Sequence, residues 1–342
     1  MVKLKERVRK WRGWKVKLAS LAVCFILLGY ALPPIHEDAH AKVCLWDGGA
    51  ATIESAAWGL GGQMNWIPGQ IPPHTWLVYL AGGLGVFVFF MLLRIWFRRS
   101  TTLWDLNYEL ALLLWAMPSL FYAFAELTLY FGTTYTNLFY ISSAVGFGLG
   151  VVIALILSFK RIEKWFTTEE EIIRVEEKKR IFEKITGILC YGALIGMVAP
   201  RLNAWIQDAA CRALGGTCHI ESVKWWALKG SMHFSELPSH YAWVIASAGI
   251  IVFLIFLGLW IWAYKSPTLW DTGMEFALAI WGVAELTLGG IRLYSYFYPQ
   301  WPLPEPTLTF LPIGTAAIVG IGYIPKLVKW VSTKEIINRR LV

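Results

Sequence analysis

The feature that most constrains this chain is a series of apolar segments separated by short polar stretches. A helix of about 20 apolar residues spans the hydrocarbon core of a bilayer. The apolar residues run continuously, whereas those of a membrane β-barrel alternate with a period of two. Only 16% of the residues are charged, against about 25% in soluble domains. The sequence therefore predicts an all-α polytopic membrane protein with eight transmembrane helices, at residues 16–34, 75–97, 103–131, 137–159, 184–200, 241–264, 269–297 and 308–328.

The basic residues indicate how these helices are oriented. Segments 1–17, 94–99, 160–184 and 326–340, with Lys265, contain 25 of the 31 Lys and Arg residues. Because basic residues concentrate in cytoplasmic loops, we expect a multi-pass protein of the cell membrane with both termini in the cytoplasm. The first apolar segment also has features of a cleavable signal peptide, but the second half of the chain contains a copy of it, so we expect it to be retained. The lipid bilayer is the partner that the basic charge indicates, and no direct nucleic-acid partner is expected.

The second half of the chain repeats the first after a shift of 166 residues. The sequence RSTTLWD at 99–105 returns as KSPTLWD at 265–271, and in the outer loops the shift grows by one. This pattern predicts two tandem parallel four-helix repeats, related by a pseudo-two-fold axis along the membrane normal. The predicted domains are a first repeat at 1–166 with an outer loop at 35–73, a cytoplasmic helical linker at 167–183, and a second repeat at 184–342 with an outer loop at 201–239.

Duplicated acidic residues lie at the start of the third span of each repeat. Two T-x-x-D patterns, typical of a helix N-terminus, are formed by Thr102 and Asp105 and by Thr268 and Asp271. Glu109 and Glu275 follow one turn further into the span. These acids have two interpretations: a ring at the cytoplasmic mouth of a cation pathway, or interfacial carboxylates that meet water or neighbouring basic residues.

The two repeats disagree at charged positions within the third span. Under the 166-residue shift, Glu126 corresponds to Arg292, and Ser119 corresponds to Glu285. A charge within the membrane normally has a partner and faces the bundle interior. We therefore predict an intramembrane pair between Glu126 and Arg292 across the repeats. Glu285 is predicted either as a transport or gating group or as a hydrogen-bonded structural residue.

Three residues of the first outer segment form a weak candidate metal site. His36, His40 and Cys44 are spaced four residues apart, so on a helix they would share one face. Imidazole and thiolate ligands suit borderline and soft transition metals. The second repeat has Leu202 in place of His36, and Gln or Ile near His40, so the sequence does not duplicate this cluster.

The remaining outer His and Cys residues suggest structural roles. His74 and His240 correspond in the two repeats and each lies at the start of a span, where an interfacial ring or a hydrogen bond that closes the helix start is expected. Cys44, Cys211 and Cys218 lie on the side where disulfides are permitted. Two pairings are open, Cys211–Cys218 and Cys44–Cys211.

These features favour two functions. The first is a transporter or channel with a pathway between the repeats, cation-coupled, in which Glu285, Glu109 and Glu275 act as coupling or gating groups. The second is a non-catalytic subunit or scaffold of a larger secretion, DNA-transfer, appendage-base or respiratory assembly, whose partners are other membrane subunits or further copies of the chain. No catalytic or nucleotide-binding motif occurs, so a membrane enzyme acting on lipid or polyisoprenoid substrates is the least favoured function, and no cofactor is predicted. The low Asn and Gln content is typical of thermophilic proteins.

Overall fold

The structure is a computed structural model. It describes residues 6–11, 14–55, 62–98, 103–131, 136–176, 181–223, 230–235, 242–264, 269–301 and 303–341. Contacts within the chain divide it into two compact units. The N-terminal unit comprises Trp11–Glu170 and Arg339–Val342, and the C-terminal unit comprises Met1–Lys10 and Glu171–Asn338.

Most elements are helices, and their order is similar in the two halves of the chain. In the first half they are β1 (Glu6–Trp11), α1 (Trp14–Trp46), β2 (Ala51–Ser55), β3 (Gly62–Trp66), α2 (Thr75–Arg98), α3 (Leu103–Tyr130) and α4 (Thr136–Thr167). In the second half they are β4 (Thr168–Glu176), α5 (Ile181–Ala213), β5 (Thr217–Val223), β6 (Gly230–Ser235), α6 (Ala242–Ala246), α7 (Ala248–Tyr264), α8 (Leu269–Phe297), α9 (Glu305–Gly322), α10 (Ile324–Val331) and β7 (Thr333–Leu341). Each half therefore has a long helix, a two-stranded hairpin and then further helices.

The described helices are those of an all-α multi-pass membrane protein. Seven of them are long and apolar enough to cross a membrane. An eighth span arises if the bent pair Phe310–Gly322 and Ile324–Val331, which meet at 48°, forms one crossing. Large apolar side chains such as Ile156 and Phe159 on α4 are exposed, as expected where lipid replaces water around the protein.

The first helix of each unit is longer than predicted, so the predicted outer loops begin too early. Helix α1 continues through Pro33 and Pro34 to Trp46, and α5 continues through Pro200 to Ala213. Proline loses one backbone hydrogen bond, but a membrane helix tolerates it where neighbouring groups compensate. Part of each predicted loop is therefore helical, and the rest contains an antiparallel hairpin, β2 with β3 and β5 with β6.

The predicted helical linker at 167–183 is wrong over its first part. Residues Thr168–Glu176 form strand β4 of a three-stranded sheet with the order β1-β4-β7. Ile172, Ile173 and Val175 are β-branched, which favours a strand. Because β4 lies between β1 and β7, its backbone N–H and C=O groups find hydrogen-bond partners along both edges. The charged residues of this segment are equally compatible with a solvated helix, and the pairing strands come from distant parts of the chain.

One helix is central to each unit. Helix α3 packs against α1, α2 and α4 in the N-terminal unit, and α8 packs against α5, α7 and α9 in the C-terminal unit. A central helix buries polar side chains that a peripheral helix would expose. The intramembrane acids of α3 and α8 therefore face other helices of their own units.

Candidate cation-binding site

Two helices of the N-terminal unit bring two imidazoles and a carboxylate together. His36 and His40 are one turn apart on α1, so their side chains share a face. Glu126 comes from α3, which packs against that face. His36 is 1% exposed and His40 is 4% exposed, while the side chain of Glu126 is 12% exposed. These three residues form the N-terminal cluster.

The ligating atoms of the N-terminal cluster surround a common point. His36 Nε2 lies 3.1 Å from Glu126 Oε1 and 3.1 Å from His40 Nε2. His40 Nε2 lies 3.5 Å from the same carboxylate oxygen. These nitrogen and oxygen atoms can bind protons or coordinate one metal ion.

Helix α2 fixes the orientation of His40. His40 Nδ1 lies 2.5 Å from the carbonyl oxygen of Val78, which only accepts hydrogen bonds, so Nδ1–H is the donor. In the neutral imidazole this leaves the lone pair on Nε2, directed at His36 and Glu126. Gly82 lies one turn along α2, and a Cβ there would be 2.6 Å from His36 Nε2 and would overlap His40 Nε2. The cluster therefore depends on the glycine of α2 for space and on a carbonyl of α2 for orientation.

The carboxylate of the N-terminal cluster has no basic partner among the hydrogen bonds and ion pairs of the described residues. Glu126 Oε1 contacts the two imidazoles, and Glu126 Oε2 is buried without a hydrogen-bond partner in the described part of the chain. His36 Nδ1 is likewise buried without one there. The ring of Tyr122 lies edge-on to His36, with 5.7 Å between ring centroids. The Glu126 carboxylate thus faces two imidazole rings within the bundle.

The C-terminal unit has a polar cluster of different chemistry. Asn203 donates from Nδ2 to Glu285 Oε2, and its Oδ1 accepts from Gln207 at 2.8 Å and from Arg292 at 3.1 Å. Glu285 is fully buried, and the Arg292 guanidinium attracts it electrostatically. These four residues form the C-terminal cluster, in which an amide links a carboxylate to a guanidinium.

The residues of the two clusters are separated by nearly constant intervals along the sequence. A shift of 167 residues relates His36 to Asn203 and His40 to Gln207, and a shift of 166 relates Glu126 to Arg292. The 166-residue shift alone compares His36 with Leu202, which is why the sequence analysis missed Asn203. At these intervals, each metal-ligating residue of the N-terminal cluster is matched by a residue of the C-terminal cluster that binds metals poorly or not at all.

Glu126 and Arg292 each have polar partners within their own units. Those of Glu126 are the imidazoles of α1, and those of Arg292 are Asn203 and the charge of Glu285. The charges are thus accounted for without the pair predicted across the repeats. Each of the two residues belongs to a cluster of its own unit, and the pair between them stays a prediction.

The other predicted acids are also paired within their units. Glu109 is buried and forms ion pairs with Arg161 and, at 3.5 Å, with Arg94. Glu275 is buried and contacts Lys326 at 2.5 Å and the Tyr323 hydroxyl at 3.0 Å. This arrangement favours the second interpretation, in which the acids meet neighbouring basic residues.

Cys44, the third member of the predicted metal cluster, does not join the two His residues. The cluster is completed by Glu126 instead. Cys44 is a buried free thiol that lies near Gly49 at the end of α1. Cys211 is disulfide-bonded, so the pairing Cys44–Cys211 is wrong. The side chain of Cys218 lies outside those that the structure describes.

His74 closes the start of α2, one of the two roles expected for it. Its backbone N–H donates to Asp47 Oδ2 at 2.7 Å, and its Nδ1 lies 2.8 Å from Asp47 Oδ1. The hydrogen bond from the His74 ring holds the pKa of the Asp47 carboxyl below its ordinary value. His240, Thr102 and Thr268, and the side chains of Asp105 and Asp271, lie outside the described part of the chain.

Of the two clusters, the N-terminal cluster is the better suited to bind a cation. Two imidazole nitrogens and a carboxylate oxygen can bind a proton or a metal ion, while the C-terminal cluster already contains its own cation, Arg292. Comparison of the chain with family models, curated proteins and solved structures finds no match.

Proposed function

We propose that the protein is a membrane transporter for a cation and that the N-terminal cluster is its binding site. The observation that carries this proposal is the buried carboxylate of Glu126, which faces two imidazoles and no basic side chain in the described structure. A carboxylate within a membrane bundle is costly unless a positive charge accompanies it. A bound cation supplies that charge and can leave, whereas the Arg292 of the C-terminal cluster cannot.

The location of the cluster suits uptake from one side. Glu126 lies four residues before the end of α3, or about 6 Å at a rise of about 1.5 Å per residue. His40 lies six residues before the end of α1. The distribution of Lys and Arg assigns these helix ends to the outer face of the cell membrane and both termini to the cytoplasm. The cluster would then be reached from outside.

We further propose that the two units arose by tandem duplication and form parallel four-helix repeats. Lys17 donates to the backbone oxygens of Trp165 and Thr168, and Lys184 donates in the same way to Trp330 and Thr333. These lysines bind carbonyls at the ends of α4 and α10, where a positive charge is favourable. The same unusual contact in both units supports a common origin.

Under this proposal the coupling or gating group is Glu126. It replaces Glu285, Glu109 and Glu275, which the sequence suggested for that role. Each of these three has a strong partner in its own unit, so loss of its charge would disturb structure before transport. This pairing also supports the second candidate function, a non-catalytic membrane subunit, in which these contacts stiffen a scaffold. Stoichiometric recovery of other polypeptides with the gently extracted protein would favour the scaffold.

Flux into proteoliposomes tests the transport proposal. The full chain is reconstituted, and uptake of protons, alkali cations and divalent transition metals is measured with ion-selective dyes. We expect flux of one cation class and a loss of at least about tenfold in Glu126→Gln. Asp38→Asn is the matched control, because it removes a half-buried carboxylate of α1 whose ion-pair partner among the described residues is Lys42, one turn away. The absence of flux for every cation, or equal flux in Glu126→Gln, would contradict the proposal.

A further inference from the structure

We infer that the cation is a divalent transition metal of the Zn²⁺ type, bound by His36 Nε2, His40 Nε2 and Glu126 Oε1 with at least one coordination position left open. The inference rests on the proposed function for the role of the ion as cargo. The binding site itself can be tested without any transport measurement.

The spacing of the three atoms fits a single small ion. Ligands about 2.0–2.1 Å from a tetrahedral Zn²⁺ are about 3.3–3.4 Å from one another. The three separations in the cluster are 3.1, 3.1 and 3.5 Å. One ion at their centre would thus meet all three ligands with only small side-chain adjustments.

Hydrogen bonds among the three side chains do not give every polar atom of the cluster a partner. Glu126 Oε1 is an acceptor, and in a neutral His40 that donates from Nδ1–H to Val78, Nε2 is an acceptor as well. Only His36 Nε2–H could then serve both atoms, and His36 Nδ1 would remain a buried acceptor without a partner in the described structure. A metal ion accepts lone pairs from all three atoms at once. The rival cation is a proton shared by the two imidazoles.

The surroundings of His40 are those of a metal ligand. A ligating His usually donates its second ring N–H to a carbonyl or carboxylate, which fixes the tautomer and orients the ring. The contact from His40 Nδ1 to the Val78 carbonyl oxygen has this form. Gly82 leaves the adjacent space open for both rings. Helix α2 thus supplies the outer support, although it contributes no ligand.

The ligand types select the class of ion. Mg²⁺ and Ca²⁺ prefer oxygen ligands alone, whereas two imidazoles with one carboxylate suit Zn²⁺, Fe²⁺, Co²⁺ and similar ions. Three protein ligands leave an open position, unlike the four of a closed structural zinc site. Glu126 Oε2, buried and without a hydrogen-bond partner among the described residues, is available as an additional oxygen. An incompletely enclosed ion can be exchanged, as cargo must be.

Metal binding by the full chain in detergent tests the inference. The protein is stripped with a chelator, and binding of Zn²⁺, Co²⁺, Mg²⁺ and Ca²⁺ is measured by calorimetry and equilibrium dialysis. We expect one Zn²⁺ or Co²⁺ per chain, a Co²⁺ absorption spectrum typical of low coordination number, and no competition from millimolar Mg²⁺. One ion per chain is expected because the C-terminal cluster has Asn203, Gln207 and Arg292 at the corresponding positions.

The variants for this test use side chains that the chain already has at the corresponding positions. His36→Asn and His40→Gln should each weaken Zn²⁺ binding by at least about 100-fold, since loss of an outer-sphere partner alone costs about 10–100-fold. Cys44→Ser is the matched control and should bind Zn²⁺ normally, because Cys44 is not part of the cluster. Size-exclusion profiles and unfolding temperatures establish that each variant is folded.

The outcomes separate this inference from the transport proposal. Stoichiometric Zn²⁺ binding lost in His36→Asn and His40→Gln, without flux of any cation, would support the metal site and contradict transport. Glu126-dependent proton flux without metal binding would overturn the metal site and leave transport standing. Zn²⁺ binding that is unchanged in the His36→Asn/His40→Gln double variant would also overturn the metal site.

Discussion

The N-terminal and C-terminal clusters lie at similar places in their units, but the groups that surround the buried carboxylate differ in charge. Both lie where the first long helix of a unit packs against the central helix, and both contain one buried carboxylate. In the C-terminal cluster the Asn203 amide donates to that carboxylate and accepts from Arg292, whose charge attracts it electrostatically. In the N-terminal cluster two imidazoles face it and no basic side chain does so in the described structure. Under the transport proposal an exchangeable cation balances the carboxylate of the N-terminal cluster, whereas the C-terminal cluster contains Arg292 as its own cation.

The sharpest test of this difference is removal of Arg292. Arg292→Met should lower the free energy of unfolding by about 1–3 kcal/mol, because it removes the donor to Asn203 Oδ1 and the positive charge that attracts buried Glu285. The double variant Arg292→Met/Glu285→Gln should recover much of that loss. Denaturant unfolding in micelles, followed by tryptophan fluorescence, provides the measurement. In the N-terminal cluster, Glu126→Gln should cost far less, and equal costs in the two clusters would break the comparison.

Gly82 tests whether the N-terminal cluster needs its open space. Gly82→Ala should destabilise the protein by about 1–3 kcal/mol through overpacking against the imidazoles, and it should weaken metal binding. Ala248, which lies 166 residues further along the chain in the C-terminal unit, is fully buried. Gly148→Ala on α4 is the matched control, because a Cβ at that position meets nothing within 4 Å. Unaltered metal binding and unfolding in Gly82→Ala would show that the cluster can shift to accept the methyl group.

A hydrogen bond that occurs in both units should contribute equally to the free energy of unfolding in each. Trp115 Nε1–H donates to the Phe25 carbonyl oxygen, and Trp281 Nε1–H donates to that of Gly192, both at 2.9 Å. Trp115→Phe and Trp281→Phe should each lower the free energy of unfolding by about 0.5–1.5 kcal/mol, the usual net value of one hydrogen bond. Thermal unfolding of both variants tests this equality. A much larger loss in one of them would mean that the units differ in packing as well as in their clusters.

The smallest expected effect concerns Asp47. Leu214 lies 167 residues further along the chain, so the C-terminal unit has no carboxylate at that position. The folded-state pKa of Asp47 is below its ordinary value of 3.8, so its bond to His74 stabilises the fold above that pH. This contribution disappears as the pH falls through the lowered pKa. The difference in unfolding temperature between the protein and Asp47→Asn should therefore shrink as the pH is lowered from 5 to about 2. If this difference in unfolding temperature grew as the pH fell, the stabilising bond between Asp47 and His74 would be contradicted.

The helical class could be predicted because lipid forces backbone groups to be satisfied within each span. Helix ends were less predictable. Pro33, Pro34 and Pro200 are normally signals of helix termination, yet α1 and α5 continue beyond them, since packing in the bundle outweighs the local cost. Strand β4 was missed for a related reason: its partners β1 and β7 lie at the ends of the chain.

For the site, the sequence by itself determined which residue types are unusual: two His residues one turn apart, and acids and an arginine within apolar segments. These features follow from helical periodicity and from the cost of charge in lipid. Only the tertiary structure decided that His36 and His40 meet Glu126 and not Cys44, and that Asn203 stands between Glu285 and Arg292. The reason is physical: spacing along a helix defines a shared face, but the packing of α1 against α3 and of α5 against α8 selects what that face meets.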